Sequence, residues 1–210
     1  MKKQQVGMKQ KIKEEPIWQY IGLLRYINVK TIVKQVLSEK KYMGIVIELI
    51  IGYSTLRLAE VHRSVVKDMR DGSQQVNASK IKFHETQVEF VFRPVQNPNV
   101  CPTEWLRGLY ERRSKKDKNE PFLWLIEKMK TAIYEESSKV VHQIIAEAGI
   151  PDNPAVTSIR KFSMTKPFDY GAIKSQIIRV TRHKKGTDTV AHQYDKNLND
   201  NLRKKLSEFE

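Results

Sequence analysis

Four stations along the chain carry side chains suited to work on a phosphodiester. They are Arg57 in "STLRLAE", the lysines of "SKIKF", Arg160 in "TSIRKF", and the run "TRHKKGTDTVAHQYDK" with His183 and Tyr194. Two arginines brought together by a fold can clamp one phosphate through forked, charge-assisted hydrogen bonds that lysine cannot reproduce geometrically. A tyrosine aimed at the clamped phosphorus can act as a nucleophile, dividing one hard displacement into two easier ones and conserving the bond energy for rejoining. A phenol ordinarily titrates near ~10, so Tyr194 needs a basic or cationic neighbour, and His183 is the candidate. Glu60 lies one helical turn after Arg57, placed either to pair with Arg63 on a helix surface or to buttress Arg57. Read singly, Arg57 and Arg160 are ordinary helix-surface arginines, His183 is part of a basic run and Tyr194 is a packing tyrosine. Only their combination points to chemistry.

The elements that must position these residues follow from hydrophobic period. "EEPIWQYIGLLRYI" has apolar residues at helical spacing, with Pro16 suited to a first turn, and a second helix is predicted over residues 30 to 39. "KYMGIVIELIIGYS" is nearly all apolar and long enough for a buried helix, and "LRLAEVHRSVVKDM" predicts a further helix. After the turn signal Asp71-Gly72, "QQVNASKIKF" and "QVEFVFRP" alternate and are rich in β-branched and aromatic residues, which predicts a hairpin or small antiparallel sheet. "CPTEWLRGLYERR" starts like a capped helix, "RRSKKDKNE" reads as a charged loop and "PFLWLI" as a short extended segment. "EESSKVVHQIIAEAGI" predicts a helix stopped at Gly149-Ile150-Pro151, and three or four helices follow. Trp18, Trp105 and Trp124 are read as core. The fold class is α+β, mostly α, with one small antiparallel sheet.

Composition narrows the function. The 210 residues, 40% of them hydrophobic, suffice for one globular domain, and a formal net charge of +14 attracts polyanions, chiefly nucleic acid or an anionic membrane surface. No apolar run reaches membrane-spanning length and the N-terminus lacks the apolar core of a signal peptide, so an intracellular, membrane-independent protein is expected. Cys101 is the sole cysteine, which excludes an internal disulfide and any cysteine-based metal cage, and the five histidines lack ligand spacing such as H-E-x-x-H. The P-loop and nucleophile-elbow motifs are also absent from the sequence, which removes most of the weight from ATPase and α/β-hydrolase readings.

At these stations the chain resembles the tyrosine recombinases, the phage-integrase family. "YSTLRLAEV" is similar to that family's first arginine box, a T-G-L-R-x-x-E-L type segment; "IRKFSMTK" is similar to the second; and "RHKKGTDTVAHQY" resembles the closing segment that carries the nucleophile. "EEPIWQYIGLLRYI" and "NVCPTEWLRGLYERR" resemble recombinases of eukaryotic mobile elements, of the Crypton and DIRS types. The resemblance covers residues 16 to 196, the catalytic domain, leaving residues 1 to 15 as a basic flexible tail or linker stub and 197 to 210 as a C-terminal helix. It implies a tyrosine recombinase catalytic-domain fold acting on double-stranded DNA, without metal or other cofactor, in the nucleus if the host is eukaryotic.

Carried over by residue, the resemblance implies that Arg57 and Arg160 hold the scissile phosphate. Lys82 protonates the departing 5′ oxygen, with Lys80 on the same strand face as the fallback. His183 donates a hydrogen bond to the phosphate, Tyr194 forms the 3′-phosphotyrosine, and Glu60 orients Arg57. Two departures stand out. Thr157 occupies the place of the usual His or Lys of the second box and cannot serve as a general acid or base near neutral pH, so either the reaction runs without that group or a neighbour such as Lys161 substitutes. The stretch from His183 to Tyr194 is also slightly long. The alternatives carried beside this reading are a transposon-derived DNA-binding protein with impaired catalysis and a type IB topoisomerase-like relaxing activity.

The amphipathic tail "DKNLNDNLRKKLSEFE" resembles segments that dock on a neighbouring subunit, implying dimers or tetramers on DNA. Truncation after Lys196 is expected to lower the assembly state on a duplex, measured by light scattering, more than it weakens salt-dependent binding. An unchanged oligomer would remove the docking role.

Overall fold

The longest apolar run in the sequence becomes the axis of the fold. In the computed structural model, which describes residues 18–69, 71–79, 87–113, 122–151, 154–160 and 163, helix α2 spans Glu39–Ser54 and is buried without a break from Tyr42 to Ser54. A helix that is apolar all round must be covered on all sides. Helices α3 (Leu58–His62), α4 (Pro102–Glu111) and α5 (Tyr134–Glu147) pack against it, and Tyr20 of α1 (Trp18–Lys30) reaches its Gly52. One hydrophobic cluster runs from α1 through α2, the sheet, α4 and α5 to Val156 and Ile159. The protein is thus mixed α and β and mostly helical.

Strands β1 (Val65–Asp68), β2 (Gln74–Ser79) and β3 (Gln87–Phe92) form an antiparallel sheet in sequence order, with Val66 opposite Val76 and Val76 opposite Phe90. Val76, Ala78, Val88, Phe90 and Phe92 are buried, the inward half of a period-two pattern. The Asp71-Gly72 turn forms as expected. Gly72 has φ +80°, and the Asp71 carboxylate accepts from the Ser73 N–H at 3.0 Å. A second hairpin pairs β4 (Trp124–Leu125) with β5 (Lys130–Thr131), so the extended segment read in "PFLWLI" is a strand. Trp105 is fully buried and donates its indole N–H to the Asn99 carbonyl at 2.7 Å, as a core tryptophan should, whereas Trp124 is half-buried. The side chain of Trp18 lies outside the described residues.

Two expectations are corrected. Residues 30 to 39 do not form an α-helix; a 3-10 helix covers Thr31–Val36, and Leu37 is extended. Arg112 of the α4 end explains this, because its guanidinium donates to the carbonyls of Lys34 at 2.5 Å and Leu37 at 2.8 Å, while the Ser38 hydroxyl caps α2 by accepting from Lys41 N–H. Those carbonyls are therefore satisfied without α-helical partners. The second correction concerns "LRLAEVHRSVVKDM", which is not one helix. α3 stops at His62, the Ser64 hydroxyl donates to the Val61 carbonyl at 2.7 Å, and Val65-Val66 enter the ladder with β2. β-branched residues lose little as strand and gain cross-strand packing, so tertiary pairing outweighs the helical period. The helices expected beyond residue 163 lie outside the described residues.

Close approaches set how tightly α2 is held. A Cβ on Gly52 would stand 1.5 Å from the Tyr20 hydroxyl, whereas one on Gly22, in mid-α1, meets nothing within 4 Å. Gly52→Ala is expected to destabilise by about 1–3 kcal/mol through overpacking, and Gly22→Ala to stabilise by about 0.5–1 kcal/mol through lower unfolded-state entropy. Urea unfolding checks both, and like-signed effects would contradict the packing.

Glu147 ties three helices at the opposite end of the bundle from Ser54. Its carboxylate accepts from Tyr26 of α1 at 2.7 Å and from Gln143 at 2.9 Å, and pairs with Lys41 of α2 at 2.8 Å. Partial burial pushes the carboxyl up, but hydrogen bonds from Lys41, Tyr26 and Gln143 together outweigh it and hold the group down at about 2. A carboxyl depressed in the folded state contributes stability above its unfolded value, near ~4.3, and loses it as pH falls toward the folded value. Because the group is largely exposed, screening limits this to about 1 kcal/mol or less. Glu147→Gln should therefore be less stable than the parent at pH 7, with the gap closing between pH ~4.5 and ~2 in a denaturant titration series; a constant gap would contradict the ion pair.

Candidate functional site

The C-terminal end of α2 is where the predicted residues meet. Ser54, the last helical residue, donates its hydroxyl to the Ile50 carbonyl at 2.5 Å and accepts from the Leu56 N–H at 3.2 Å, so one side chain closes the helix and starts the next segment. Thr55 caps α2 in the left-handed region, φ +60° and ψ +15°, with its N–H on the Ile51 carbonyl at 2.9 Å. A β-branched residue rarely adopts that conformation, which costs on the order of 1 kcal/mol or more. The αL cap reverses the chain, buries Leu56, and delivers Arg57 to solvent at the N-cap of α3. Arg57 is therefore exposed at a junction between the buried last turns of α2 and a helix anchored by buried Leu58 and Val61.

Glu60 completes the junction. Its carboxylate accepts the Arg57 backbone N–H at 2.8 Å, and the Arg57 carbonyl accepts from the N–H groups of Glu60 and Val61, each at 2.9 Å. Of the two roles open for Glu60, the observed one is support of the Arg57 backbone, through the N3 half of a capping box.

The second arginine arrives from the far end of the chain. Residues 156–160 form a helical turn whose Val156 and Ile159 are buried. Ser163 then donates its hydroxyl to the Gly52 carbonyl at 2.5 Å and to the Ile159 carbonyl at 3.0 Å, pinning this segment to the last turn of α2. Arg160, half-buried, donates its Nε–H to the Thr55 carbonyl at 2.7 Å. Burial first, and the nearby Arg57 charge second, pull the Arg160 guanidinium below its ordinary value, while Glu60 partly offsets them. Arg57, Glu60 and Arg160 thus share one electrostatic neighbourhood. Two guanidinium groups in that relation repel unless an anion joins them, and a single carboxylate already committed to a backbone N–H leaves the balance positive.

Thr157 is exposed, one turn before Arg160. Lys80, Lys82, Lys161, His183 and Tyr194 lie outside the described residues, as does the C-terminal segment 197–210.

Three residues of this region escaped the sequence reading. Thr55 and Ser163 are short polar residues that carry no signal by themselves. Glu48 carries one: it is a glutamate inside "GIVIELIIG", one turn before Gly52, and it is fully buried. Neither carboxylate oxygen has a hydrogen-bond partner among the described residues, and burial pushes the group well above the usual carboxylate range. Burial also raises the phenol of Tyr20, which feels the Glu48 charge, and that of Tyr53 in the next turn of α2. Among the described residues, no group of His, Cys, Asp and Glu side chains is arranged to hold a metal ion, and no helix is long and apolar enough to cross a membrane. No protein-family model, curated protein or solved structure matches the chain.

Proposed function

We propose that this chain is the catalytic domain of a site-specific DNA recombinase or integrase that cuts and rejoins strands through Tyr194. The observation that carries the reading is the convergence of Arg57 and Arg160: the Arg160 Nε–H is bonded to the carbonyl of Thr55, two residues before Arg57. The two arginine boxes resembling those of tyrosine recombinases are thereby neighbours in space although far apart in sequence. A second detail supports it. The family's first box carries glycine where this chain has Thr55, and the backbone there is in the left-handed region that favours glycine.

In this reading Arg57 and Arg160 grip the non-bridging oxygens of one backbone phosphate, and their grip strengthens as charge builds there in the transition state. The Tyr194 oxygen attacks phosphorus, its phenolic proton passing to His183, as the P–O5′ bond breaks, giving a 3′-phosphotyrosine and a 5′-hydroxyl whose proton comes from Lys82 or Lys80. His183 assists by hydrogen bonding at the phosphate. Reversal with a second 5′-hydroxyl rejoins the strand with no external energy source. The partner is double-stranded DNA, attracted by the net charge of +14, and the working form is a dimer or tetramer on DNA, of the eukaryotic mobile-element type and nuclear in such a host.

Thr157 favours a second reading, a DNA-binding module with the same fold and impaired catalysis, because threonine cannot replace the proton-exchanging residue of the second box. One experiment separates the two. Incubation with a pool of nicked suicide duplexes is expected to give a denaturant-resistant protein–DNA adduct that is absent in Tyr194→Phe and falls at least about 100-fold in Arg160→Ala. Retained, salt-sensitive DNA binding with no adduct in the parent protein would replace the recombinase reading with the binding-module one.

A further inference from the structure

We propose that Thr55 is a positioning residue whose left-handed backbone aims its carbonyl at Arg160 and thereby sets the direction of that arginine's fork. The inference rests on the strand-transfer reading for its purpose, but its geometry stands separately. Thr55 and Met129 are the non-glycine residues with positive φ among the described ones, and only Thr55 is β-branched. A strained conformation at a residue poorly suited to it persists only where the surroundings impose it, and such outliers gather where structure serves binding or chemistry. Here the surroundings are identifiable. The Thr55 N–H is tied to Ile51, the following residue Leu56 is buried and bonded to Ser54, and the segment carrying Arg160 is fastened to the same helical turn by Ser163.

The consequence lies in which guanidinium nitrogen is used. Nε carries one N–H, directed along one edge of the planar group, and it is spent on the Thr55 carbonyl at 2.7 Å. With Nε held, the swing of the guanidinium is restricted, and the two terminal amino groups are biased toward one side. A fork held this way meets a phosphate without first surrendering side-chain freedom, which is how preorganisation adds affinity. In an α-helical or extended conformation residue 55 would turn its carbonyl elsewhere, and the Arg160 plane would lose its reference.

The test uses the full chain and two readouts that a purely structural role would not couple. The first is hydrogen-exchange protection of the Arg160 Nε–H by nitrogen-15 NMR, assigned through Arg160→Lys. The second is affinity for inorganic phosphate, followed by titration well below the melting temperature of each variant. Across wild type, Thr55→Gly, Thr55→Val and Thr55→Pro, phosphate affinity is expected to track Nε–H protection and not the melting temperature. Thr55→Pro, locked near φ −65°, should lose protection and about tenfold in affinity. If Thr55→Pro fails to fold, the Gly and Val variants against wild type carry the same comparison. Affinity that follows melting temperature, affinity that stays constant as protection falls, or a wild-type Nε–H exchanging like that of free arginine overturns the proposal. Neither readout needs strand cleavage. Adduct formation without this correlation removes only the role of Thr55, and the correlation without adduct removes only the strand-transfer reading.

Discussion

The bond between the Arg160 Nε–H and the Thr55 carbonyl is the contact on which the candidate site depends, because it joins the two halves of the chain that supply the cations. Everything around it serves to hold its two ends. α2 supplies one end, and a helix buried from Tyr42 to Ser54 is a stiff support, since moving it would disturb the packing of α3, α4 and α5 together. The hydroxyl of Ser163 supplies the other by capturing the Gly52 carbonyl within the same helical turn. Both bonds use carbonyls at a helix C-terminus, where the chain leaves acceptors without intrahelical partners and where the helix dipole favours a cation. The helix end thus offsets part of what burial and the Arg57 charge cost Arg160.

That placement also explains how two arginines coexist. Arg57 is exposed, so water screens it, while Arg160 is half-buried and feels both desolvation and its neighbour. Two like charges in one neighbourhood repel, and an anion placed between them reverses that repulsion. Glu60 offsets part of it, but its carboxylate is anchored to the Arg57 backbone N–H and does not bridge the guanidinium groups in place of a ligand. Among the described residues the two guanidinium groups outnumber the one carboxylate beside them, and forked cations in that arrangement suit an anion.

Much of this was legible in the sequence, and the parts that were not have a common cause. α2, α4 and α5 announced themselves by length, period and stop signals, and β2 and β3 by alternation around a turn containing Asp71-Gly72. The pairing of Arg57 with Arg160 was legible only through the spacing of motifs, since no local property of either arginine distinguishes it from a surface residue. What escaped was decided by contacts between distant residues. The run after Arg57 keeps a helical period, yet Val65 and Val66 pair with β2, and residues 31 to 36 tighten into a 3-10 helix because Arg112 claims the carbonyls of Lys34 within it and Leu37 after it. Thr55 is the strongest case, for threonine is a poor left-handed residue, and nothing in its type predicts the conformation that its neighbours impose.

Glu48 shows what such a support costs. A carboxylic acid buried without a partner among the described residues is unfavourable to ionise, so folding pushes its pKa up while the unfolded chain releases the proton at its ordinary value. By that linkage its contribution to stability is greatest below about pH 4 and declines as pH rises toward its raised folded value. A chain selected only for stability would place leucine there, as it does one residue later at Leu49. The acid lies one turn before Gly52, whose carbonyl holds Ser163 and whose missing side chain admits Tyr20. The turn of α2 that carries the candidate site is therefore also the turn where the core gives up apolar packing for polar groups, and the strain at Thr55 is carried immediately beyond it. Departures from ideal helix chemistry thus cluster within eight residues, from Glu48 to Thr55, and set this end of α2 apart from the apolar turns before it.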